Sequence, residues 1–360
     1  MARPTEPCEN ALYEFQKVTF SHFDSGPGES LLLTADPWSY LDACLSQHLD
    51  GARGQNRKSY LRARYYAELA QGFYAAAESV ALPTKGTLIY YGMLNLAKCY
   101  LATLRIPLEE QLEHHGLTLP FDKEKEVTVT EKTNNSINIF HEFADALGTP
   151  VVSKKTYDLK QICSHIPEIH EITFALGHLP NKKKRLLLPV QIAFMVNKTK
   201  DRLFTEIKYE KKNEARVQID KFYKGTRMKY FKDLGEENGW HIYRSHRKRA
   251  VSKEQWPRAF KTFCSEFSGF DLASILTHEG YRYYVDLGKR DYHHLAWTLM
   301  LMYYIGSIAR YRPVAAEAIM NDSMRPLISE AVAVCPKQFL YQLTSFITKR
   351  TCSVPHASLG

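Results

Sequence analysis

Apolar residues recur with helical spacing over the first third of the chain. Residues 57–80 place an apolar side chain at every fourth position, namely at Leu61, Tyr65, Leu69, Phe73 and Ala77. This spacing is typical of the buried face of an amphipathic helix. Residues 88–104 are apolar on most sides, which predicts a central helix surrounded by other elements. Upstream, Asp36-Pro37 marks another helix start, because Asp caps a helix and Pro fits its first turn.

The last third of the chain is again helical in pattern. Residues 292–310 are rich in apolar and aromatic side chains and predict a long buried helix. Pro313 ends this helix or starts the next, and Pro326 and Pro336 each predict a break. We therefore expect two shorter helices, the second over 337–349, followed by a loose tail.

The middle of the chain predicts strands. β-branched and aromatic residues are frequent there, and they alternate in part with polar ones. The predicted strands are 126–130, 186–196, 202–209, 217–223 and 240–243. The second and third are expected to form a hairpin around residues 197–201. Residues 158–176 are more typical of a helix, which Pro167 interrupts.

Two helical zones around a β-rich zone predict an α+β protein in which the early and late helices pack together. The central zone is then an insert between the two halves of a helical bundle. The predicted boundaries are 1–35 for an N-terminal extension, 36–118 for the first helical zone, 119–267 for the mixed β-rich basic region, 268–350 for the second helical zone and 351–360 for the tail.

Positive charge is concentrated in the central insert. Residues 181–260 contain 22 Lys and Arg against 9 Asp and Glu, whereas the remainder contains 26 against 30. A basic block in an otherwise mildly acidic chain favours a polyanionic partner, because opposite charge attracts the ligand.

Composition excludes several classes of protein. A hydrophobic content of 44% can fill a core, and the seven scattered cysteines form no CxxC pair. We therefore expect a folded cytoplasmic protein with reduced thiols and no metal centre. No apolar stretch reaches the roughly 20 residues that span a bilayer, so no transmembrane segment is predicted. Phosphate-binding and dinucleotide-binding glycine motifs are absent, so no cofactor is expected.

Two apolar strings resemble the YaaC-like proteins of bacteria. The first is Tyr90-Tyr-Gly-Met-Leu-Asn-Leu-Ala-Lys98 with His115-Gly-Leu117. The second is Leu301-Met-Tyr-Tyr-Ile-Gly-Ser-Ile-Ala-Arg-Tyr-Arg-Pro313 with Cys335-Pro-Lys-Gln-Phe-Leu340. The resemblance follows chain order over most of the sequence, but it implies little about function.

The first helical zone also resembles HEPN-type helical hairpins. That resemblance implies a helical bundle, often dimeric, that binds nucleotides or cleaves RNA in toxin–antitoxin and anti-phage systems. The nuclease branch carries an Arg followed by His after four to six residues, and here only Arg350 and His356 match. Roughly two matches are expected by chance in a chain with this many Arg and His residues, so one match is no signal. If the chain is a nuclease, the weak catalytic candidates are His115, Arg350 and His356.

Polar residues within the helical zones are candidate ligand-binding groups. Tyr91, Asn95 and Lys98 lie on one helical stripe, where an amide and an ammonium suit a phosphate or a base. The same spacing is also typical of the solvent-exposed edge of an amphipathic helix, which needs no ligand. Arg310 and Arg312 end a helix, where they offset its negative end and offer two guanidinium groups to an anion.

Two short runs contain the densest positive charge. They are Lys182, Lys183, Lys184 and Arg185, and then Arg244, His246, Arg247, Lys248 and Arg249. Aromatic residues lie between them, including Tyr223, Tyr230 and Trp240. Cations that hold phosphates and rings that stack on bases suit single-stranded nucleic acid, whereas a solvated loop face needs no ligand.

The leading hypothesis is therefore a nucleic-acid- or nucleotide-binding protein of bacterial stress response or anti-phage defence. A HEPN-type ribonuclease with a divergent site is the alternative. A scaffold that binds a protein partner or a second copy of itself through its aromatic helices is the third.

Overall fold

The structure separates the chain into two compact units. It is a computed structural model that describes residues 8–13, 16–23, 26, 31–132, 135–178, 184–197, 199, 201–222, 229–250 and 252–355. The sheet unit comprises Met1–Leu33, Lys183–Arg290 and Lys349–Gly360. The helical unit comprises Thr34–Lys182 and Asp291–Thr348. Each unit is thus assembled from separate segments of the chain.

Helices dominate the helical unit. The α-helices are α1 (Pro37–Asp50), α2 (Gly54–Glu78), α3 (Thr84–Thr103), α4 (Ile139–Ala146), α5 (Leu159–Ser164), α6 (His170–Ala175), α7 (Trp256–Glu266), α8 (His294–Tyr311), α9 (Pro313–Met320) and α10 (Arg325–Thr348). Among them, α7 belongs to the sheet unit. The α3 helix contacts both α8 and α10, so the early and late helices pack together. Together with the antiparallel strands described below, this confirms the predicted α+β class.

Small residues bring the central helices close together. A Cβ added to Gly306 of α8 would lie 3.0 Å from Tyr90 Cβ and 3.3 Å from Thr87 Cα on α3. The Thr87 hydroxyl also donates to the Gly306 carbonyl at 3.2 Å. The α3 helix buries most of its residues, as its apolar sequence predicts. At α1, Asp36 accepts hydrogen bonds from the backbone of Trp38 and Ser39, which confirms the predicted cap.

The predicted buried face of α2 is wrong at its start. Leu61 and Tyr65 are 47% and 56% exposed. The residues that α2 buries are mostly alanines, which allow close approach to α3: Ser59, Ala63, Tyr66, Ala67, Ala70 and Ala77. A four-residue spacing rotates by about 40° per step around a helix of 3.6 residues per turn. The predicted stripe therefore drifts from the solvent side to the core.

The predicted break at Pro336 is also wrong, because α10 continues through it. Proline removes one backbone donor and disfavours a helix interior. Here the residues on both sides of Pro336 are held by burial, since Val332, Cys335 and Phe339 lie in the core. The Tyr74 hydroxyl donates to the Pro336 carbonyl at 3.1 Å. Tertiary packing therefore outweighs the local preference.

The longest of the described strands lie in the sheet unit. They are β1 (Cys8–Asn10), β2 (Leu12–Tyr13), β3 (Gln16–Lys17), β4 (Leu31–Leu33), β5 (Leu112–His114), β6 (Leu117–Thr118), β7 (Glu126–Val129), β8 (Ser136–Asn138), β9 (Lys155–Asp158), β10 (Leu187–Asn197), β11 (Arg202–Glu210), β12 (Phe231–Glu237), β13 (Trp240–Ser245), β14 (Arg249–Ala250), β15 (Leu272–Thr277), β16 (Gly280–Asp286) and β17 (Thr351–Ser353). In the helical unit, β6, β7 and β9 form one small sheet, and β5 pairs with β8.

The sheet unit is built on an antiparallel sheet in the order β12-β13-β11-β10-β16-β15, with β1 paired to β10 and β14 paired to β11. The predicted hairpin is confirmed, with Val196 opposite Leu203. The α7 helix packs on one face, where Phe260 stacks on Phe194 at 4.8 Å. The strand predicted over 217–223 is wrong where it is described, since Ile219–Lys221 is a 3-10 helix.

Two predicted boundaries and the predicted tail differ from the structure. The boundary between 118 and 119 falls inside the helical unit, and that between 267 and 268 falls inside the sheet unit. The strands of residues 119–158 bury apolar residues such as Val127 in the helical core, which local β-character does not reveal. Residues 351–353 are not a tail but form buried β17, parallel to β4. Residues 356–360 lie outside the described part.

None of the helices in the described part of the chain combines the length and the hydrophobicity that a membrane span requires.

Candidate functional site

A cluster of aromatic and basic side chains joins the two strings that resemble the YaaC-like proteins. We define the His115 cluster as Tyr90, Tyr91, His115, Tyr303 and Arg310. The first two lie on α3, His115 follows β5, and the last two lie on α8. Because α3 packs directly on α8, residues about 200 positions apart in sequence meet in the helical unit.

His115 is held in place by its own backbone and by its ring. Its carbonyl accepts a hydrogen bond from the Phe140 amide at 3.1 Å. Its Nδ1 shares a hydrogen bond of 2.7 Å with the Tyr90 hydroxyl, and 5.9 Å separates the ring centroids of His115 and Tyr303. Burial lowers the pKa of His115, and the positive charges of Arg310 and Lys98 lower it further. The imidazole is therefore neutral at pH 7 although cations lie near it.

Arg310 uses three of its five N–H donors inside the helical unit. The Nε–H group donates to the Gly306 carbonyl at 3.1 Å, and Nη2 donates to Ser307 Oγ at 3.3 Å. Nη1 donates to the Tyr91 hydroxyl. A guanidinium has five N–H donors, so one N–H remains on each terminal nitrogen. Each of these N–H groups can donate to an oxygen of a phosphate or carboxylate.

Two aromatic rings lie close to the Arg310 guanidinium. Its central carbon is 4.9 Å from the centroid of the Tyr91 ring and 4.8 Å from that of the Tyr311 ring. The Phe73 ring stacks on Tyr91 at 5.5 Å. These contacts fix the orientation of the guanidinium, so the two remaining donors keep a defined direction.

A second cluster of interest lies on the sheet unit. We define the Tyr230 patch as Lys229, Tyr230, Lys232, His246, Arg247 and Lys248. The Lys229 ammonium and the Arg247 guanidinium lie 5.4 and 5.5 Å from the Tyr230 ring centroid. The His246 amide donates to the Tyr230 carbonyl at 2.7 Å, which joins the start of β12 to the end of β13. All members except Tyr230, which is half-buried, are exposed.

A cavity in the helical unit is lined by both positively and negatively charged side chains. Its volume is about 350 Å³, and its wall includes Lys125, Lys160, Asp158 and Asp322. Lys125 pairs with Asp322 at 2.7 Å, and Asp158 caps α5. These groups balance each other, so the cavity does not select an anion or a cation.

Comparison with known families confirms the resemblance that the two strings around the His115 cluster indicated. The family model described as YaaC-like protein matches residues 31–347. The chain belongs to the YaaC-like family. Its matched region includes every member of the His115 cluster and of the Tyr230 patch. Searches among curated proteins and among solved structures found no match for this YaaC-like chain.

The structure brings together only some of the predicted ligand-binding residues. Tyr91 and Arg310 are in contact. Lys98 forms a 2.6 Å ion pair with Glu113, and the Asn95 amide donates to the Tyr91 carbonyl in its own helix. Arg312 donates to the carbonyl of Pro120 at 2.6 Å and to that of Leu119 at 3.3 Å, which anchors the segment after β6. Its visible contacts are therefore structural.

The predicted basic runs divide in a similar way. Arg244 forms a 2.6 Å ion pair with Glu206, and the two side chains are only 11% and 10% exposed. Arg249 is half-buried beside the Phe263 ring, and Arg185 bridges to Val217 through its backbone. His246, Arg247 and Lys248 remain at the surface.

Among the remaining predicted site residues, the structure describes Arg350 and Lys184. Arg350 is exposed and belongs to the sheet unit, whereas His115 belongs to the helical unit. Lys184 is half-exposed at the start of the described part of the insert. Lys182, Lys183 and His356 lie outside the described residues.

Sequence reasoning missed Tyr90, Tyr303 and Ser307. A signal for two of them was present, because Tyr303, Ser307 and Arg310 have the same four- and three-residue spacing as Tyr91, Asn95 and Lys98. Two polar stripes on apolar helices favour a shared interface, but their register requires the structure. No metal ligands accompany them: in the described part of the chain, no three His, Cys, Asp or Glu side chains are grouped to hold a metal ion.

Proposed function

We propose that the chain binds single-stranded nucleic acid through the Tyr230 patch. The observation that carries the proposal is the Tyr230 ring with two surface cations, Lys229 and Arg247, within 5.5 Å of its centroid. Such a patch holds backbone phosphates by charge, and an aromatic ring at its centre stacks on a base. The sheet unit around it has 29 Lys and Arg against 18 Asp and Glu, whereas the helical unit has 19 against 21.

The charge division supports this choice of surface. Positive charge distributed over a whole molecule attracts polyanions weakly, whereas charge confined to one unit gives a directed approach. Ion pairs reduce the excess elsewhere on the sheet unit, as at Lys212 with Glu210 and at Lys211 with Glu236. Within the patch, Arg247 lies 3.7 Å from Glu266 but is still 58% exposed.

The experiment measures RNA binding by a fourfold variant. Lys229, Lys232, Arg247 and Lys248 are each changed to Gln, and affinity for a fluorescent single-stranded oligoribonucleotide is measured at several salt concentrations. Loss of each phosphate contact should flatten the slope of log affinity against log salt by roughly 0.7. The control changes four exposed basic residues of the same unit, Lys17, Arg216, Arg258 and Lys289, to Gln. Equal effects of both variants would reject the patch.

A second candidate function is RNA cleavage at the His115 cluster. It is favoured by the neutral imidazole next to the Arg310 guanidinium. If Nδ1–H donates to the Tyr90 oxygen, Nε2 keeps its lone pair and accepts the proton of a ribose 2′-hydroxyl. The 2′-oxygen then attacks phosphorus, the bond from phosphorus to the 5′-oxygen breaks, and the 5′-oxygen takes up the proton that Nε2 accepted, while the guanidinium stabilises the added negative charge.

Cleavage is tested by incubating the protein with RNA and mapping the ends. The products should carry a 2′,3′-cyclic phosphate and a 5′-hydroxyl, and a 2′-deoxy substitution at the cleaved position should block the reaction. His115→Gln should abolish cleavage, whereas His114→Gln should not. Equal cleavage by both variants would show that the activity does not belong to this cluster.

A further inference from the structure

Two exposed apolar side chains follow Arg310 in sequence. Tyr311 is 70% exposed and Val314 is 80% exposed, although both belong to helical segments of a well-packed unit. Phe121 is 97% exposed, and it directly follows Pro120, whose carbonyl accepts a hydrogen bond from Arg312 at 2.6 Å. Arg312 thereby links the segment containing Phe121 to the end of α8. Large apolar side chains with this much exposure are candidates for an interaction site.

The charge beside these side chains identifies the kind of ligand. Arg310 keeps one unused N–H on each terminal nitrogen, which suits two oxygens of a phosphate. One face of the Tyr311 ring lies against the Arg310 guanidinium, with 4.8 Å between ring centroid and guanidinium carbon. The ring is otherwise mostly open to solvent. A flat aromatic group that stacks on it would therefore extend an existing guanidinium–ring stack.

We infer that Arg310, Tyr311 and Phe121 form a nucleotide-binding site, with a phosphate on Arg310 and the base on Tyr311. The ligand must combine an aromatic ring with a phosphate group, because a purely apolar partner would leave the two guanidinium donors unpaired. The inference goes beyond the Tyr230 patch, since it concerns the helical unit and needs no RNA cleavage. A free nucleotide and a terminal nucleotide of RNA have the same chemistry.

The first test measures binding of AMP, GMP, CMP and UMP, and of ribose 5-phosphate, by titration calorimetry. Tyr311→Ala should weaken nucleotide binding roughly tenfold, as expected for a lost base–ring stack, and leave ribose 5-phosphate unchanged. Arg310→Lys keeps the charge but loses the two guanidinium donors, so it should weaken both ligands. Phe121→Ala should weaken nucleotides alone. The exposed Tyr65→Ala on α2 is the matched control, and it should bind like the wild type.

The second test separates the two sources of the ligand. A short single-stranded oligoribonucleotide carrying 2-aminopurine at its 5′ end is titrated with the wild type and with Tyr311→Ala. Quenching that depends on Tyr311, with no binding of free nucleotides, assigns the site to RNA ends. Binding of free nucleotides assigns it to a soluble ligand.

Three outcomes would overturn the inference. One is that neither nucleotides nor the oligoribonucleotide bind in a way that depends on Tyr311. Another is that Tyr65→Ala weakens binding as much as Tyr311→Ala. The third is that Tyr311→Ala and Phe121→Ala change only the molar mass in solution, which would make the surface a contact between two copies. If RNA binding is lost in the fourfold Tyr230-patch variant and neither RNA nor free nucleotides bind in a way that depends on Tyr311, the proposed function stands and this site is rejected.

Discussion

Gly116 has a backbone conformation that favours glycine, and it lies directly after His115. Its φ is +78°, and an added Cβ would lie 2.7 Å from His141 Nδ1. Gly148 has nearly the same φ, +77°, but nothing within 4 Å of such a Cβ. Gly148→Ala should therefore lower the free energy of unfolding by about 1–2 kcal/mol. Gly116→Ala should cost about 1–3 kcal/mol more, because the neighbouring imidazole must move.

Urea unfolding followed by circular dichroism measures both changes. The same Gly116 variant should also weaken any activity that depends on His115, while Gly148→Ala leaves it intact. Similar losses of stability in the two variants would mean that the contact with His141 relaxes without cost.

Glu168 is a buried carboxyl group in the helical unit, and both of its oxygens lack a hydrogen-bond partner. Burial raises the pKa of Glu168 to about 8. The pKa is thus higher in the folded than in the unfolded chain, where it is about 4.5. The folded state holds the extra proton between these values, so the contribution of Glu168 to stability is greatest below pH 4.5 and falls as the pH rises towards 8.

Glu168→Gln should remove this dependence. We expect the variant to be more stable than the wild type at pH 8, by roughly 3–4 kcal/mol, and to differ little at pH 4.5. Urea midpoints at half-unit steps of pH measure the difference. Glu317→Gln, at an exposed position on α9, is the control and should follow the wild type. A wild-type curve parallel to that of Glu168→Gln would show that Glu168 ionises as it does in the unfolded chain.

The limits of sequence reasoning at this scale are visible in His115 and Arg310. Each was a candidate because of its residue type and its place near a helix end. Their proximity depends on α3 and α8 packing side by side, which no local pattern encodes. Arg244 shows the opposite case, since a residue in a basic run forms a buried pair with Glu206 on the neighbouring strand.

At the scale of elements, Gly306 sets the distance between α3 and α8. An added Cβ would meet the Thr87 Cα at 3.3 Å and the Gly86 carbonyl oxygen at 3.4 Å, so backbone atoms must move. Gly306→Ala should therefore separate the helices and destabilise the helical unit by about 1–3 kcal/mol. Because Tyr90 and Arg310 lie on these helices, the His115 cluster should also be disturbed.

Gly72 on α2 provides the matched control for Gly306. It is helical too, but nothing lies within 4 Å of an added Cβ. Gly72→Ala should stabilise the protein by about 0.5–1 kcal/mol, because alanine favours a helix. The midpoint temperatures of thermal unfolding should therefore rise for Gly72→Ala and fall for Gly306→Ala. A stabilised Gly306→Ala variant would contradict the close crossing of α3 and α8.

Elements with a strong pattern were predictable from the sequence. The caps of α1, the apolar α3 and α8, and the β10–β11 hairpin all follow from periodicity and turn residues. The buried face of α2 and the continuity of α10 through Pro336 could not be predicted from these patterns. In both cases packing against another helix decides, through alanines on α2 and through the buried residues around Pro336 on α10.

At the scale of the whole molecule, the division into units was only partly predictable. The charge excess of the insert appears in the sequence, and it falls almost entirely in the sheet unit. What could not be predicted is that both ends of the chain also belong to that unit. Residues 31–33 and 351–353 pair as β4 and β17, a contact across more than 300 positions that local patterns do not reveal.

The charge of the sheet unit leads to a last prediction, in which two arginines of the same run behave oppositely. Arg247→Gln should reduce the slope of log RNA affinity against log salt by roughly 0.7 and lower stability less than Arg244→Gln does, because Arg247 is 58% exposed and lies 3.7 Å from Glu266. Arg244→Gln should leave that slope unchanged but destabilise the sheet unit by about 3 kcal/mol, because Glu206 then remains buried without its partner.

Binding isotherms at several salt concentrations and urea unfolding of the same two variants measure the four quantities. A double variant, Arg244→Gln with Glu206→Gln, should recover part of the lost stability, since no unpaired charge is left in the interior. If Arg244→Gln flattens the salt slope as much as Arg247→Gln does, the buried arginine also senses the nucleic acid. The contact surface would then have to extend from the Tyr230 patch across β13 and β11, where Arg244 faces Glu206.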